Sequence, residues 1–287
     1  MINDKKILIT GSNGQLAKEF KEYFKANSVN YRAVSEKELD ITDLNQMKNI
    51  IGDYQPNVIL NCAAYNLVDQ AEENEKAAYD VNSLAVSYLA RLCKDMNILL
   101  VHYSTDYVFD GKKNGPFTES DLPNPLNVYG KSKFEGEKQV KKYCDDYLIF
   151  RLSWVFGDGT MNFMRKLSEW SKKTDTLKIV SDEISVPTYT EDIVDVTIRS
   201  MEQNIRGLYH LTNNGYCSRY EWAKYYFGKK GENIQVVQAS GSDFPSAIQR
   251  PMYSVMSNDA ISKKLNLRIP SWQDAVDRYL SKYCVKC

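Results

Sequence analysis

The sequence lacks an excess of charge of either sign, because 37 lysine and arginine residues balance 37 aspartate and glutamate residues. That balance argues against a nucleic-acid-binding protein, which usually carries a basic excess. No apolar run approaches the length of a membrane span, which argues against a membrane protein. The first residues leave no room for a signal peptide, because the apolar segment from Ile7 to Thr10 runs straight into Gly11. We therefore expect a cytoplasmic protein.

Cysteine and histidine are too scattered or too few for several kinds of site. Six cysteines lie along the chain without paired spacing, which argues against a disulfide framework and favours a reducing compartment. The exception, Cys284-Val-Lys-Cys287, has no second pair and is interpreted as a solvated tail. With only His102 and His210, and no Gly-x-Ser-x-Gly elbow, the sequence favours neither a histidine metal site nor a Ser-His-Asp hydrolase. We expect no metal, and both histidines packed in the interior.

Short apolar runs alternate with stretches of helical period through the first half of the chain. The runs predict strands over Lys6–Thr10, Asn30–Val34, Val58–Ala63, Ile98–Ser104 and Leu148–Trp154. The stretches between them predict helices near Gln15–Lys25, Leu44–Asp53, Ala71–Met96 and Lys131–Cys144. Because the strands do not alternate polar with apolar residues, both of their faces should be buried. This pattern predicts an α/β fold with a doubly wound parallel sheet of the Rossmann type.

The second half is less regular. It predicts helices over Met161–Ser171, Thr190–Asn204, Asp259–Leu265 and Trp272–Tyr283, strands over Leu177–Val180 and Leu208–Leu211, and loops at Gly228–Gly231 and Gly241–Pro245. We expect a dinucleotide-binding domain made of residues 1–155 and 188–215. Residues 156–187 and 216–287 should form a smaller α/β substrate-binding lobe that covers the carboxyl edge of the sheet.

A glycine-rich turn follows the first predicted strand directly, with the spacing Gly11-x-x-Gly14-x-x-Ala17. Gly11 allows an unusual φ, Gly14 allows the backbone to approach a pyrophosphate, and Ala17 allows tight packing of helix on strand. The following helix N-terminus offers N–H groups to phosphates. The alternative is a glycine turn with no ligand. The absence of Gly-Lys-Ser/Thr argues against a phosphate-loop NTPase.

The sequence leaves the choice between NADH and NADPH open. An acidic residue about twenty positions after the glycine turn would suit the ribose hydroxyls of NADH, but no acid stands unambiguously at the tip of the second strand. Arg32 and Lys37 could instead meet a 2′-phosphate. NADPH is therefore slightly favoured, with NADH as the alternative.

Tyr129 and Lys133 are four residues apart, so they share one face of the helix that they open. A free tyrosine has a pKa near 10, and a neighbouring ammonium would favour the phenolate and bring the pKa toward neutrality. Thr105 follows the strand Ile98–Ser104, where its hydroxyl could reach both a substrate oxygen and Tyr129. The three residues predict a tyrosine acid–base centre, and a plain surface helix is the alternative.

Taken together, the motifs resemble the dTDP-4-dehydrorhamnose reductase family of extended short-chain dehydrogenases/reductases. The resemblance covers nearly the whole chain and rests on ILITGSNGQL from Ile7, LDITD from Leu39, PNVILNCAAY from Pro56, VDQAE from Val68, STDYVFDG from Ser104, PLNVYGKSKFEGE from Pro125, RLSWVFG from Arg151 and RPxxS from Arg250. The run from Ser104 to Gly111 is the most telling.

The resemblance implies NADPH-dependent reduction of the C4 ketone of dTDP-4-dehydro-L-rhamnose, with Tyr129 as proton donor, Lys133 as its partner and Thr105 tuning it. It also implies cofactor contacts from Gly11, Asn13, Gly14, Gln15, Leu16, Asp40, Ile41, Ala63, Ala64, Tyr65, Tyr129 and Lys133. Substrate contacts fall on Thr105, Asp106, Tyr107, Trp154 and Arg250. The partner is then a dTDP-sugar, and the assembly a monomer or homodimer.

Two departures from the family pattern fall in one segment. The family usually has Asp-Gln-x-Gly-x-Pro-Thr, whereas this chain has Glu183 in place of the glutamine and Ser185 in place of the glycine. Glu183 adds a charge, and Ser185 removes backbone freedom beside the expected substrate lobe. Both leave the exact sugar nucleotide open.

Three other functions stay open at this stage. Another deoxysugar-nucleotide 4-ketoreductase or an epimerase would use the same motifs. A 4,6-dehydratase is disfavoured, because Tyr107 stands where such enzymes commonly carry a glutamate. A non-catalytic regulatory subunit resembling the beta subunit of methionine adenosyltransferase would keep the glycine turn without turnover, although the intact Thr105, Tyr129 and Lys133 weigh against it.

Overall fold

The computed structural model describes residues 2–159, 162–244 and 248–283. Its largest sheet has six strands: β1 (Ile7–Thr10), β2 (Tyr31–Val34), β3 (Val58–Asn61), β4 (Leu99–Thr105), β5 (Tyr147–Leu152) and β10 (Gly207–His210). Their order across the sheet is β2-β1-β3-β4-β5-β10, and every neighbouring pair is parallel. The strand order reverses between β1 and β3, and ligands of doubly wound sheets bind at the carboxyl ends beside such a reversal.

Six further strands and eleven α-helices surround this sheet in the described residues. The strands are β6 (Val155–Phe156), β7 (Thr176–Val180), β8 (Ile184–Ser185), β9 (Thr188–Tyr189), β11 (Cys217–Ser218) and β12 (Gln235–Ala239). The helices are α1 (Gln15–Ala26), α2 (Leu44–Tyr54), α3 (Val68–Ala71), α4 (Glu75–Tyr79), α5 (Ala85–Asp95), α6 (Val128–Tyr143), α7 (Phe163–Ser171), α8 (Thr190–Glu202), α9 (Arg219–Lys230), α10 (Asp259–Leu265) and α11 (Trp272–Tyr283).

Helices cover both faces of the large sheet. Ile7 and Ile9 of β1 belong to one apolar core, which α1, α8 and α10 complete. Leu8, between them, faces a second core built with α2, α5 and α6. Successive residues of a strand point to opposite faces, so a strand buried on both sides must be apolar at every position. The doubly wound α/β fold predicted from the continuous apolar runs is confirmed.

A third apolar core lies away from the sheet, in the segments predicted to form the smaller lobe. Phe156, Trp222 and Tyr279 are among its buried members, and α7, α9, α11 and β7 contribute most of the rest. Three two-stranded pairs, β7–β12, β6–β9 and β8–β11, lie in the same part of the chain. Helix α10 packs on the large sheet instead. The boundaries of the two predicted units stay a prediction.

The helices and strands differ from the prediction in several places, and the two-residue strands β6, β8, β9 and β11 were not expected. The stretch Ala71–Met96 is divided into α3, α4, a π-helical turn over Asp80–Leu84 and α5. Helix α9 and strand β12 were not expected, and Gly228, interpreted as a loop signal, lies inside α9. Met161, at the start of a predicted helix, Pro245, at the end of a predicted loop, and the tail Cys284-Val-Lys-Cys287 lie outside the described part of the chain.

Both histidines are buried, as the sequence predicted. Nδ1 of His102 lies 3.1 Å from Nδ2 of Asn61, and Nε2 of His210 lies 3.4 Å from Nη1 of Arg151. Burial lowers the pKa of both imidazoles, that of His210 to about 3, so both are neutral at pH 7.

Across the described ranges, every helix is too short or too polar to span a bilayer.

Candidate active site

The glycine turn joins β1 to α1 and lies against the loop that follows β3. Gly11 has a φ of +67°, and a Cβ placed on it would lie 2.8 Å from Cα of Ala63. Glycine is therefore the residue that this position accepts. Gly14 caps α1, and its N–H donates to the Gly11 carbonyl oxygen at 3.0 Å. The first N–H groups of a helix have no intrahelical partners, so those after Gly14 are available to an anion.

The other predicted residues of this turn divide between solvent and core. Asn13 is exposed, whereas Leu16 packs its side chain into the core beneath the sheet. Nε2 of Gln15 donates to the carbonyl oxygen of Val155 at 3.0 Å. The same bond fixes the turn to β6, which belongs to the wall of the cavity described below.

Asp40 and Ile41, predicted beside the adenine, follow β2. The Asp40 carboxylate is exposed and accepts from the N–H and the hydroxyl of Thr42, at 2.9 and 2.7 Å. Ile41 is buried in the core of α2 and α5. Arg32 and Lys37 are exposed side chains near the same edge. The structure thus places an acidic turn and Lys37 after the carboxyl end of β2, and Arg32 within β2 itself.

The segment Ala63, Ala64 and Tyr65 follows β3, and one buried asparagine holds it. Asn82, in the π-helical turn, accepts from the N–H of Tyr65 at 2.9 Å and donates to its carbonyl oxygen at 3.0 Å. Its amide also donates to Ser132 of α6 at 3.0 Å. The π-helical turn therefore ties the predicted cofactor path to the helix that carries Tyr129, and such turns are frequent at functional sites.

Thr105 and Tyr129 meet where β4 ends and α6 begins. The Thr105 hydroxyl accepts from the N–H of Tyr107 at 3.2 Å, and the same side chain is close enough to Tyr129 to lower the pKa of its phenol in part. The Tyr129 ring packs edge to face on Tyr107, with 5.9 Å between ring centres. The two predicted catalytic side chains are thus brought together although 24 positions separate them in the sequence.

A missing side chain permits this meeting. A Cβ on Gly130 would lie 2.2 Å from the carbonyl oxygen of Tyr107, so any larger residue would push α6 away from the short 3-10 helix Asp106–Val108. Asn127 caps α6 through its Oδ1, which accepts from the N–H of Gly130 at 2.9 Å. These contacts set the position of Tyr129 against the end of β4.

Lys133 is buried one helical turn after Tyr129, but it does not tune the phenol as predicted. Its Nζ donates to the carbonyl oxygen of Tyr103 at 2.6 Å, and burial lowers its pKa to about 8. Burial raises the pKa of Tyr129 to about 12, while the hydrogen bond to Thr105 lowers it in part. The expectation that the ammonium would bring the Tyr129 pKa toward neutrality is wrong for this structure, because burial of the phenol outweighs it.

Asp106 is buried beside Thr105, with 2% of its surface exposed. Its Oδ1 accepts from the Thr105 hydroxyl at 3.1 Å, and its Oδ2 accepts from the hydroxyls of Ser185 at 3.0 Å and Ser254 at 2.5 Å. Burial raises the Asp106 pKa to about 6, and these hydrogen bonds oppose that rise. Ser185, one of the two departures from the family pattern, therefore contacts the predicted site directly.

A cavity of about 510 Å³ opens next to Tyr107 and is bounded by the loop after β3 and by the smaller lobe. Tyr107, Trp154 and Arg250, three of the predicted substrate residues, line it. Thr105 and Asp106, the other two, are buried beside Tyr107. A volume in this range suits a ligand of several hundred daltons.

Aromatic and basic side chains on the cavity wall were missed by the sequence reasoning. The Arg219 guanidinium lies 4.2 Å from the ring centre of Trp154 and 5.3 Å from that of Phe163. Glu183, the other departure from the family pattern, is 3.5 Å from Arg219. Lys166 also lines the cavity. The missed side chains, Phe163, Lys166 and Arg219, come from two helices far apart in the sequence, α7 and α9, so spacing along the chain gave no signal for them.

Trp154 has a backbone conformation that bulky residues rarely adopt. Its φ is +38°, and its ring stacks on Trp222 with 5.9 Å between centres. Such strain persists only where the surroundings hold it, and it concentrates at functional sites. The conformation turns the chain at the end of β5 and places the indole on the cavity wall.

Arg250 connects the two sides of the cavity. One of its terminal nitrogens lies 2.6 Å from Oδ1 of Asp69, in the loop-and-helix segment after β3. The predicted role of Arg250 in closing the lobe agrees with this position, and it stays a prediction.

In the described part of the chain, no group of three or more histidine, cysteine or acidic side chains is arranged to hold a metal ion.

Comparison with known families gives a match along almost the entire chain. The model of the RmlD substrate binding domain matches residues 5–285. The chain belongs to the RmlD substrate binding domain family. The resemblance found in the sequence motifs is confirmed.

Members of the RmlD family with curated names are similar over nearly their full length. A dTDP-4-dehydrorhamnose reductase of Aggregatibacter actinomycetemcomitans is 38% identical, over 94% of this chain and 97% of that protein. A dTDP-4-keto-6-deoxy-D-glucose reductase of Streptomyces niveus is 33% identical, over 94% of each. The crystal structure of dTDP-4-dehydrorhamnose reductase from Bacillus anthracis in complex with NADP superposes with a TM-score of 0.93. It is 33% identical and covers 97% of this chain and 99% of that one.

The glycine turn of this RmlD-family chain fits a dinucleotide on its own geometry. Glycine at position 11 lets the turn lie directly against the backbone of Ala63, so the N-terminus of α1 stands at the carboxyl ends of β1 and β3. Oε1 of Gln15 is buried and has no hydrogen-bond partner within the described residues. An unpartnered polar atom at the N-terminus of α1 is the kind of group that a bound ligand completes.

Proposed function

We propose that the protein is an oxidoreductase that uses NADPH to reduce the C4 ketone of dTDP-4-dehydro-L-rhamnose to dTDP-L-rhamnose. The observation that carries the proposal is that Thr105 and Tyr129 both contact Tyr107, which lines the cavity. The Thr105 hydroxyl accepts from the Tyr107 N–H, and the Tyr129 ring packs on the Tyr107 ring. Membership of the RmlD family and the name and bound NADP of the Bacillus anthracis structure support the same activity.

The residues that would hold NADPH are those predicted around β1, β2 and β3. The backbone of Gly11, Gly14 and the start of α1 would bind the pyrophosphate, and Tyr65 and Lys133 would lie along the path to the nicotinamide. When bound, NADPH supplies the hydride for the sugar C4. Arg32 and Lys37 are the cations that this edge of the sheet offers to a 2′-phosphate.

Tyr129 is the proposed proton donor. A pKa of about 12 keeps the phenol protonated at neutral pH, which is the form that reduction of a ketone requires. As Tyr129 gives its proton to the C4 oxygen, its own oxygen becomes negative. The Thr105 hydroxyl then donates to that phenolate.

The cavity wall suits the nucleotide part of the substrate. Lys166, Arg219 and Arg250 offer positive charge to a diphosphate, and the indole of Trp154 offers a flat surface to the thymine base or the deoxysugar. Tyr107 lines the cavity and packs on Tyr129, so we infer that the sugar end of the substrate would lie beside these two rings.

A second substrate is favoured by one observation, the similarity to the Streptomyces niveus reductase of dTDP-4-keto-6-deoxy-D-glucose. The two keto sugars differ in stereochemistry, so the same proton donor and cofactor serve both. Glu183 lines the cavity, and Ser185 is buried against Asp106. The choice between the two keto sugars would depend on these two residues.

Loss of NADPH absorbance on addition of each keto sugar tests the activity, with NADH in parallel and the product identified by NMR. We expect rapid oxidation of NADPH with dTDP-4-dehydro-L-rhamnose and formation of dTDP-L-rhamnose. Turnover of dTDP-4-keto-6-deoxy-D-glucose alone would establish the second substrate. If neither sugar is reduced and NADPH still binds, the reductase proposal is wrong and a non-catalytic nucleotide-binding subunit takes its place.

We propose that the protein is a monomer or a homodimer in solution. Sedimentation would distinguish these two states. The cytoplasm is the proposed compartment, because Cys93, Cys144 and Cys217 are buried free thiols, as expected where disulfides do not form.

A further inference from the structure

Two serine hydroxyls of the smaller lobe bind the same oxygen of a buried carboxylate. Ser185 and Ser254 are 1% and 2% exposed, and both donate to Oδ2 of Asp106, at 3.0 and 2.5 Å. The two hydroxyl oxygens are 2.9 Å apart. A buried carboxylate is costly unless donors surround it, so these hydroxyls stabilise its charged form.

Backbone pairing fixes the two serines relative to each other. The N–H of Ser254 donates to the carbonyl oxygen of Ile184 at 2.9 Å, and the N–H of Ile184 donates to that of Met252 at 2.8 Å. Ser185 is also paired with Cys217 in the antiparallel pair of β8 and β11. The hydroxyls therefore reach Asp106 from a rigid part of the lobe, not from a mobile loop.

The other oxygen of Asp106 competes with Tyr129 for a single proton. Thr105 has one hydroxyl hydrogen, its oxygen lies 3.1 Å from Oδ1 of Asp106, and its side chain is close enough to Tyr129 to act on the phenol as well. A carboxylate that already receives two hydroxyl donors attracts a further proton less strongly. The hydrogen of Thr105 is then free to turn toward the phenolate that forms when Tyr129 gives up its proton.

We propose that Ser185, together with Ser254, is a positioning residue of the reductase, which holds Asp106 so that Thr105 can donate to Tyr129. The inference rests on the proposed reductase function, since the step that it assists is proton transfer from Tyr129. Ser185 stands where the family usually has glycine. In this proposal it connects the smaller lobe to Tyr129 through the side chains of Asp106 and Thr105.

The titratable groups that face Asp106 are Tyr107 on its own turn and Tyr129 on α6. The charges of Arg219, Glu183 and Arg250 act on Tyr107. Loss of the Ser185 hydroxyl removes one donor from a buried carboxylate, so the pKa of Asp106 rises from about 6. The acid limb of the kcat profile should move to higher pH in the same variant.

The first variant is Ser185→Ala, compared with Ser200→Ala, which removes an equally buried hydroxyl from α8. In Ser185→Ala we expect kcat to fall roughly tenfold and the acid limb to move up by about one pH unit, the effect of one hydrogen bond to a charged group. The KM for NADPH should stay within about twofold. Ser185→Thr keeps a hydroxyl and should recover most of kcat, and Ser254→Ala should resemble Ser185→Ala.

A carbon-13 NMR titration of the Asp106 carboxyl group gives a readout that needs no turnover. Its midpoint should rise by about one unit in Ser185→Ala and stay unchanged in Ser200→Ala. An unmoved midpoint, or a kcat profile identical to that of the wild type, overturns the positioning role. A wild type that reduces neither keto sugar overturns the proposed function instead, and the titration still decides whether Ser185 holds Asp106.

Discussion

At the scale of single residues, burial and hydrogen bonding act on the Tyr129 phenol in opposite directions. Burial raises its pKa to about 12, and the bond to Thr105 partly reverses that rise. A protonated phenol suits a donor at rest, whereas a phenolate must be stabilised immediately after transfer. In the proposed mechanism Thr105 supplies that stabilisation only when the negative charge develops, and catalysis requires this difference between the two states.

Replacing Tyr129 by phenylalanine keeps the ring and removes the proton. We expect Tyr129→Phe to lower kcat by about 10²- to 10⁴-fold, the range for loss of a general acid. The Kd for NADPH, measured by fluorescence titration, should change less than about twofold. Tyr225→Phe, which removes the phenol that contacts Asp277 on α11, is the control and should retain kcat. Near-normal turnover in Tyr129→Phe would assign the proton donor elsewhere.

Lys133 illustrates a conflict between stability and function. Its pKa of about 8 in the folded protein lies below the value of 10.5 for an unperturbed lysine, so folding disfavours its charge at every pH below about 8. Lys133→Met removes the buried charge and should raise the free energy of unfolding at pH 7 by about 2 kcal/mol, while activity is lost. Urea unfolding of this variant and of Lys131→Met, an exposed position on the same helix, measures the effect. Equal stabilities would show that the ammonium is solvated.

At the scale of elements, the position of α6 depends on the missing side chain of Gly130 as well as on a hydrogen bond at the helix start. Gly130 allows the helix to approach the carbonyl oxygen of Tyr107, and Oε1 of Glu72 accepts from the N–H of Val128 at the helix start, at 2.8 Å. The sequence motif around Tyr129 therefore encodes a docking surface in addition to the two reactive side chains.

Two glycine substitutions in helices should have effects of opposite sign. In Gly130→Ala the new methyl group meets a backbone oxygen at 2.2 Å, so α6 must shift, and we expect a loss of about 2–4 kcal/mol in stability together with most of kcat. In Gly228→Ala nothing lies within 4 Å of the new Cβ. That helical position should gain about 0.5–1 kcal/mol. Thermal unfolding of both variants distinguishes steric exclusion from a general intolerance of substitution.

The strands that are buried on both faces were predicted correctly, whereas helix α9 and the π-helical turn were not. β1, β3, β4 and β5 are apolar along most of their length, which identifies them without reference to their partners. α9 was missed because Gly228 was interpreted as a loop. Its start did carry a signal, since Ser218 and Glu221 form a capping box. The π-helical turn had no signal, because Asn82 makes its hydrogen bonds to residues 17 and 50 positions away.

At the scale of the whole molecule, the two buried histidines make stability depend on pH in acid. His210 has a pKa of about 3 when folded against 6.5 when unfolded, so it contributes stability above pH 6.5 that is lost as the pH falls toward 3. Asp106 acts in the opposite sense. Its raised pKa of about 6 adds stability as the pH falls below that value.

His210→Gln should flatten the dependence of stability on pH. The wild type should lose about 3 kcal/mol between pH 7 and pH 4 through His210 alone, because the unfolded imidazole takes up a proton that the folded one refuses. In His210→Gln the difference in free energy of unfolding between these two pH values should shrink by a similar amount, whatever the stability at pH 7. A slope identical to that of the wild type would mean that His210 takes up a proton in the folded protein.

The site was predictable to the extent that its residues lie in local motifs. Gly11, Thr105, Tyr129 and Lys133 belong to short runs, and the structure brings them to one end of the sheet. Residues such as Arg219 were not predictable, because they reach the cavity through the packing of the smaller lobe and have no neighbours in the sequence that mark them. The Thr105–Asp106–Ser185 chain was missed for the same reason, since 79 positions separate Asp106 from Ser185.

Three of the four tryptophans, Trp154, Trp170 and Trp222, line one cavity, while Trp272 is buried in the core of the smaller lobe. Two of them are stacked, and a guanidinium lies over Trp154. Most of the ultraviolet emission of the protein therefore originates beside the proposed sugar-nucleotide site. A molecule that enters this cavity will alter both the intensity and the wavelength of that emission, so the protein reports occupation of its own cavity optically, without any attached label.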